Sequence, residues 1–150
     1  MKWGQSIDEL DVAERDSFKP MNLKPPYIRP CEKVYFRIPE NHMVGDVEVG
    51  LLTYHFWQDK LIRIHFYANG SENARLLRKS IKTMFGEATS TFATPYFFES
   101  FWEGNTTKIT SYYDRKESFE ELTMESILLT AQQKRWLEEE SQKPPSTTGW

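Results

Sequence analysis

The chain has 150 residues, 39% of them hydrophobic and 15% aromatic, with a mean hydropathy of −0.65; it can bury a core without staples and is not a disordered polymer. Nineteen basic against 22 acidic residues leave a net charge of −3, which excludes the strongly basic footprint of a DNA-binding domain. The lone cysteine, Cys31, excludes an internal disulfide and a multi-thiolate zinc site, and reads as a semi-buried thiol.

No apolar run is long enough to cross a membrane. The opening MKWGQSIDEL is polar and unlike a signal peptide, so the chain as it stands reads as cytoplasmic, and as periplasmic or exported if a leader precedes it. Ser6 and Glu9 stand at capping-box spacing and predict a short helix with Ile7 and Leu10 on one face. Prolines 20, 25, 26 and 30 make the stretch from Phe18 to Pro30 an extended connector, not a sheet interior. In EKVYFRIP, Val34, Phe36 and Ile38 alternate with Lys33, Tyr35 and Arg37, the pattern of a half-buried strand ended by Pro39.

The segment from Val47 to Ala68 is the clearest hairpin. A two-residue loop at Gln58-Asp59 would set Tyr54 opposite Arg63 and scatter apolar groups over both faces. A three-residue loop, Gln58-Asp59-Lys60, sets Leu52 opposite Phe66, Tyr54 opposite Ile64 and Phe56 opposite Ile62, giving one wholly apolar face. The other face then carries Leu51, Thr53, His55, Trp57, Leu61, Arg63, His65 and Tyr67, and is half wet. In this register Ile64→Ala costs core packing, whereas Arg63→Ala and Tyr67→Ala leave the fold nearly intact.

Ser71 as N-cap and Gly86 past the C-terminus bound a helix whose Leu77, Ile81, Met84 and Phe85 form one apolar stripe. Arg75, Arg78, Lys79 and Lys82 make its other face a solvated basic one. A second hairpin follows, with Glu103-Gly104-Asn105 as loop, Phe101 opposite Thr107 and Glu99 opposite Ile109. It matches the first at 45 residues' distance: HFWQDKLIRIHFY and SFWEGNTTKITSYY share Phe-Trp, a cation, Ile and Tyr at common spacing. Residues 1–69 and 70–126 then read as half-repeats of one α+β domain over 1–143. Each half is a helix plus three antiparallel strands, with the helices on one sheet face and equivalent places for Trp57 and Trp102. Residues 118–141 fit either one long helix or a strand followed by a helix from about 127 to 142; 144–150 form a flexible tail.

The runs WGQSIDEL, FWQDKLIRI, FGE and FWEGNTTKITSYY resemble those of small bacterial, often exported or lipid-anchored, helix-plus-sheet proteins such as the β-lactamase inhibitory protein and the assembly lipoprotein BamE. That resemblance covers most of the chain, is structural in its motifs, and implies a strand over 119–126 before the last helix. It brings no catalytic residue.

Phosphate-binding, nucleophile-elbow, zincin and dinucleotide motifs are absent. His55 and His65 share a face and are weak metal candidates that need a third ligand such as Glu48 or His42, so no metal and no cofactor is expected. Glu99, aimed at the apolar side, is a candidate for a raised pKa. Tyr35, Trp57, Tyr67, Trp102 and Tyr112 with Arg63 and Lys108 are base-stacking types, but the acidic balance counts against nucleic acid. The expectation is a non-catalytic protein-binding module, possible inhibitor or immunity-type roles included, with Trp57, Arg63, His65, Tyr67, Trp102 and Lys108 as its partner surface. The alternatives are a binder of a small apolar ligand held between helix and sheet, and an enzyme without a readable motif.

Overall fold

The computed structural model describes residues 1–38 and 42–144; the strand end expected at Pro39 and the tail from residue 145 lie outside the described residues. Ser6 accepts a hydrogen bond from the Asp8 amide and opens a 3-10 turn, Ile7–Glu9. Asp11 then caps helix α1, Val12–Ser17, through the Glu14 amide at 2.9 Å. The expected single helix start is thus split in two, because Asp11 offers a second acceptor three residues before Glu14.

Strands β1 (Phe18–Met21) and β2 (Glu32–Arg37) come next, then a small ribbon of β3 (Met43–Val44) and β4 (Val47–Glu48). Strands β5 (Thr53–Trp57) and β6 (Lys60–Asn69) lead into helix α2 (Ser71–Phe85). The second half holds β7 (Ser90–Ala93), β8 (Phe97–Glu103), β9 (Thr107–Asp114), β10 (Phe119–Ser126) and helix α3 (Ile127–Gln142). Residues 119–126 are a strand, as expected, and Ser126 caps α3 through the Leu129 amide. Apart from the ribbon, the strands form one antiparallel eight-stranded sheet in the order β1-β2-β5-β6-β10-β9-β8-β7. Two meanders therefore meet where β6 pairs with β10.

The hairpin registers correct the sequence reading. The first hairpin turns on Gln58 and Asp59 alone, whose φ values of 49° and 60° both fall in the left-handed region, as a tight primed turn requires. The scattering that a two-residue loop implied is avoided by a bulge between His55 and Phe56, which restores Tyr54 opposite Ile64 while Phe56 faces Leu61. Leu61 joins Phe56, Tyr54, Phe18 and Leu10 in one cluster, and Ile62 packs with Trp57 and Leu129 in another. The expected places of Leu61 and Ile62 are thus exchanged.

In the second hairpin Gly104 donates to the Thr107 carbonyl at 2.9 Å, so Asn105 and Thr106 form the tip. Phe101 faces Thr110, and Glu99 faces Tyr112 rather than Ile109. The two hairpins do not share a register: Trp57 faces Lys60, whereas Trp102 faces Ile109. Nor do the tryptophans share a face of the sheet. Because β6 and β9 both border β10, the second hairpin enters the sheet turned over relative to the first. Trp102 packs under α2 with Leu77 and Ile81, and Trp57 packs on the opposite side with Leu129 of α3.

That difference also corrects the placement of the helices, which cover opposite faces. Against α2 lie Phe66, Ala68, Leu122 and Ile109, with Val47 and Val49 completing the cluster. Ala74, Leu77 and Ile81 are the buried positions of α2, each large side chain contributing about 1.5–3 kcal/mol of burial. Met84 and Phe85, expected in the stripe, are 52% and 46% exposed. The stripe belongs to the first turns of α2, and its end is held through the backbone, with Trp102 Nε1 donating to the Gly86 carbonyl at 3.0 Å. At the other end Gly70, at φ 85°, is the N-cap and Ser71 the first helical residue, because the chain must leave β6 through a left-handed turn.

Candidate functional site

On the face of the sheet opposite α2, helix α3 packs on Trp57 and Ile62 and borders Lys108 and Glu125. Alternation along five strands places one set of side chains on the rest of it. These are Thr53, His55, Arg63, His65 and Tyr67 from the first hairpin, Phe119, Glu121, Thr123 and Glu125 from β10, and Lys108, Thr110, Tyr112, Phe97, Glu99 and Phe101 from the second hairpin. The proline-rich stretch after β1 brings Leu23, Tyr27 and Arg29 to one rim, enclosing a cleft of about 480 Å³.

A charge network fills the floor of that cleft. The Glu32 carboxylate lies 2.8 Å from His55 Nδ1 and 3.1 Å from Arg63 Nη1, and Arg63 Nε donates to Glu125 at 3.2 Å. His55 Nε2 lies 3.3 Å from Thr53 Oγ1, and His65 Nε2 lies 2.7 Å from Glu121. Burial alone would raise the Glu32 carboxyl. The His55 hydrogen bond, the charges of Arg63 and His55 and the Arg29 amide outweigh that and hold it below the ordinary value. Glu121 is also lowered, by the hydrogen bond from His65 against its partial burial. Arg63, His55 and His65 each have a carboxylate partner, so the network holds these side chains in one hydrogen-bonded arrangement.

Beyond the cleft the same face turns aromatic. Tyr67 and Phe119 stack at 5.5 Å between ring centroids, Phe97 and Tyr112 at 5.3 Å, and Phe92 and Phe97 at 5.9 Å. The Lys108 ammonium sits over the Phe101 ring at 5.8 Å. Tyr67 owes its place to Gly50, whose amide donates to the Tyr67 carbonyl at 2.6 Å and where a Cβ would collide with the ring.

Of the residues expected on the partner surface, Arg63, His65, Tyr67 and Lys108 do lie on this face. Trp57 and Trp102 are buried, at 5% and 9% exposure, and leave the list. Each caps a hydrophobic cluster, which an alternation pattern cannot distinguish from exposure on a half-wet face. His55 and His65 share the face, but each is tied to its own carboxylate, and among the described residues no set of three His, Cys, Asp or Glu groups is gathered for a metal. Glu99 stands on the open face beside Tyr112, not on the apolar side, because the hairpin tip lies further along the chain. Cys31 is exposed rather than semi-buried, at φ 58° in the turn before β2.

On the α2 face the basic helix side is partly spoken for. Arg78 pairs with the fully buried Glu120 at 2.8 Å and lies over the Tyr113 ring, while Ser111 donates to the other carboxylate oxygen of Glu120. Burial pushes the Glu120 carboxyl up, against the pull of Ser111 and Arg78.

Sequence reasoning missed Glu32, Glu121 and Glu125, the carboxylates of the network, and the rings of Phe97 and Phe119. Glu32 reaches His55 through the β2–β5 pairing, and Glu121 reaches His65 through β6–β10. Neither pairing has a local signal.

No family model matches this chain, and no curated protein does. Among solved structures it is similar to a DUF4309 family protein, YjgB, from Bacillus subtilis subsp. subtilis str. 168. The identity is 12%, the match covers 59% of this chain and 70% of that one, and the TM-score is 0.34. At that score the likeness carries no statement of fold or function.

Proposed function

We propose that this chain is a non-catalytic protein-binding module, of an inhibitor or immunity-type character, that seats its partner on the open face of the sheet. The observation behind this reading is the run of aromatic pairs Tyr67–Phe119 and Phe97–Tyr112 on an uncovered face, next to a charge network whose groups are already ordered. Tyrosine and phenylalanine on rigid strands give contact area at little conformational cost, and such residues dominate binding energy at interfaces. Glu99 and Glu103 on β8 and Lys108 on β9, which faces Glu103, flank the rings, so the complementary surface has an apolar centre and a rim of both charges, with an acidic group placed to meet Lys108. The alternative of an apolar molecule between α2 and the sheet has less support, since Leu77, Ile81 and Ala74 are closed against the strands at 1% exposure or below.

The test compares variants in affinity capture from the source cell, each first checked by melting. Tyr112→Ala and Lys108→Glu remove open-face groups and should weaken the partner by on the order of 1–2 kcal/mol each, with melting nearly unchanged. Lys79→Glu on the exposed side of α2 should have no effect. A partner held equally well by both open-face variants and lost with Lys79→Glu would place the interface on α2 instead.

A further inference from the structure

The sheet has two edges, and only one is protected. On β1, Lys19 and Pro20 stand within the strand; a charge and a missing amide donor are the devices that block addition of another strand. On β7 neither is present. No charged residue lies between Glu87 and Glu99, every residue of β7 is exposed, and Phe92 is 55% exposed.

The free backbone groups of β7 follow from the turn beside it. Thr94 donates to the Phe97 carbonyl at 2.9 Å where β7 turns into β8. Antiparallel alternation then directs the amides of Phe92 and Ser90 toward β8, and leaves the N–H and C=O of Thr91 and Ala93 pointing away from the sheet.

We propose that β7 pairs antiparallel with β7 of a second copy of this chain, about a two-fold axis perpendicular to the sheet. Thr91 of each copy exchanges both backbone hydrogen bonds with Ala93 of the other, and the two Phe92 residues meet across the axis. They form a non-hydrogen-bonded pair, the closer kind, with Cα atoms about 4.5 Å apart. Each Phe92 already leans on Phe97, and Phe97 on Tyr112, at 5.9 and 5.3 Å. The pairing therefore joins two aromatic ladders into one, on a continuous sheet whose open faces look the same way.

A second copy suits this edge better than a foreign strand for a reason of charge. A two-fold interface must be complementary to itself, and an uncharged Ser-Thr-Phe-Ala edge meets its own copy without repulsion, while it offers no charge by which to select another partner. The inference stands apart from the reading of the open face, since it needs only the edge.

Sedimentation of the full chain from low micromolar to several hundred micromolar concentration tests it. The wild type should pass from monomer to dimer over that range. Thr91→Pro removes an outward amide that the β8 ladder does not use, and Phe92→Lys installs the charge that β1 carries. Each should shift dimerisation at least about tenfold higher in concentration, with the melting of the dilute monomer unchanged. Amide exchange gives a second readout on the wild type: protection of Thr91 and Ala93 should rise with concentration, while the Phe92 amide is protected throughout. A wild type that stays monomeric, a Thr91→Pro variant that dimerises like it, or flat protection at Thr91 and Ala93 would overturn the proposal.

Discussion

Arg63→Ala is expected to lower the stability of the fold by about 3 kcal/mol, the lower end of the range for a buried ion pair broken on one side. The sequence pattern suggests the opposite, a nearly silent surface change, because Arg63 alternates with apolar Ile62 and Ile64 on a half-wet strand. In the folded chain its guanidinium is only 12% exposed and bridges Glu32 at 2% exposure to Glu125 at 27%. Removing it leaves the nearly buried Glu32 carboxylate held by His55 and the Arg29 amide alone. The loss comes from the carboxylate left behind, so Glu32→Gln added to Arg63→Ala should recover a large part of it, and a double-mutant cycle by chemical denaturation measures the coupling. The sign with pH is fixed as well. Glu32 sits below its ordinary value when folded, so its contribution is present above the unfolded carboxyl pKa and is lost as pH falls through the folded one. The gap between wild type and Arg63→Ala should therefore narrow in acid. Equal stabilities at neutral pH would mean that the network does not order this face.

Ile62→Ala should cost about 2–5 kcal/mol, and Ile64→Ala clearly less. Ile62 is fully buried and closes the cluster of Trp57 and Leu129 between the sheet and α3, whereas Ile64 is half-buried at the seam of the two clusters on the other face. The cavity left at Ile62 is walled by a tryptophan and a helix that cannot easily collapse into it. Because Ile62 is the β6 residue that clusters with Leu129 of α3, its loss should also expose α3 selectively, seen as faster amide exchange at Leu129 and Gln133 than at Leu77. Equal costs for the two substitutions would contradict the bulge.

How much of this was legible in the sequence differs by the range of the interaction. Alternation and helical spacing placed β2, β5, β6 and α2, because each rests on residues within one element; over 118–141 the same patterns fitted one long helix as well as a strand and a helix, and the strand at 119–126 was implied by the resemblance alone. Turn chemistry was half legible. Gln58 and Asp59 tolerate a left-handed turn, but choosing it also required a bulge at Ile62, which compensates for it and leaves no local mark. The repeated Phe-Trp was legible as a pattern and misleading as architecture, since β10 enters between β6 and β9 and turns the second hairpin over. The side taken by α3 depends on that same insertion. The carboxylates of the open face had no signal, because Glu32 and Glu121 find their histidines only through strand pairings that bridge distant parts of the chain.

Hydroxyl-radical footprinting of the chain alone and with its captured partner decides whether the open face is the interface, since oxidation reports the exposure of each ring and thioether. Tyr67, Phe97, Tyr112 and Phe119 should lose reactivity in the complex, while Met84 and Phe85 at the end of α2 react as before. Protection of Met84 and Phe85, with the four rings of the open face oxidised as in the free chain, would contradict that interface.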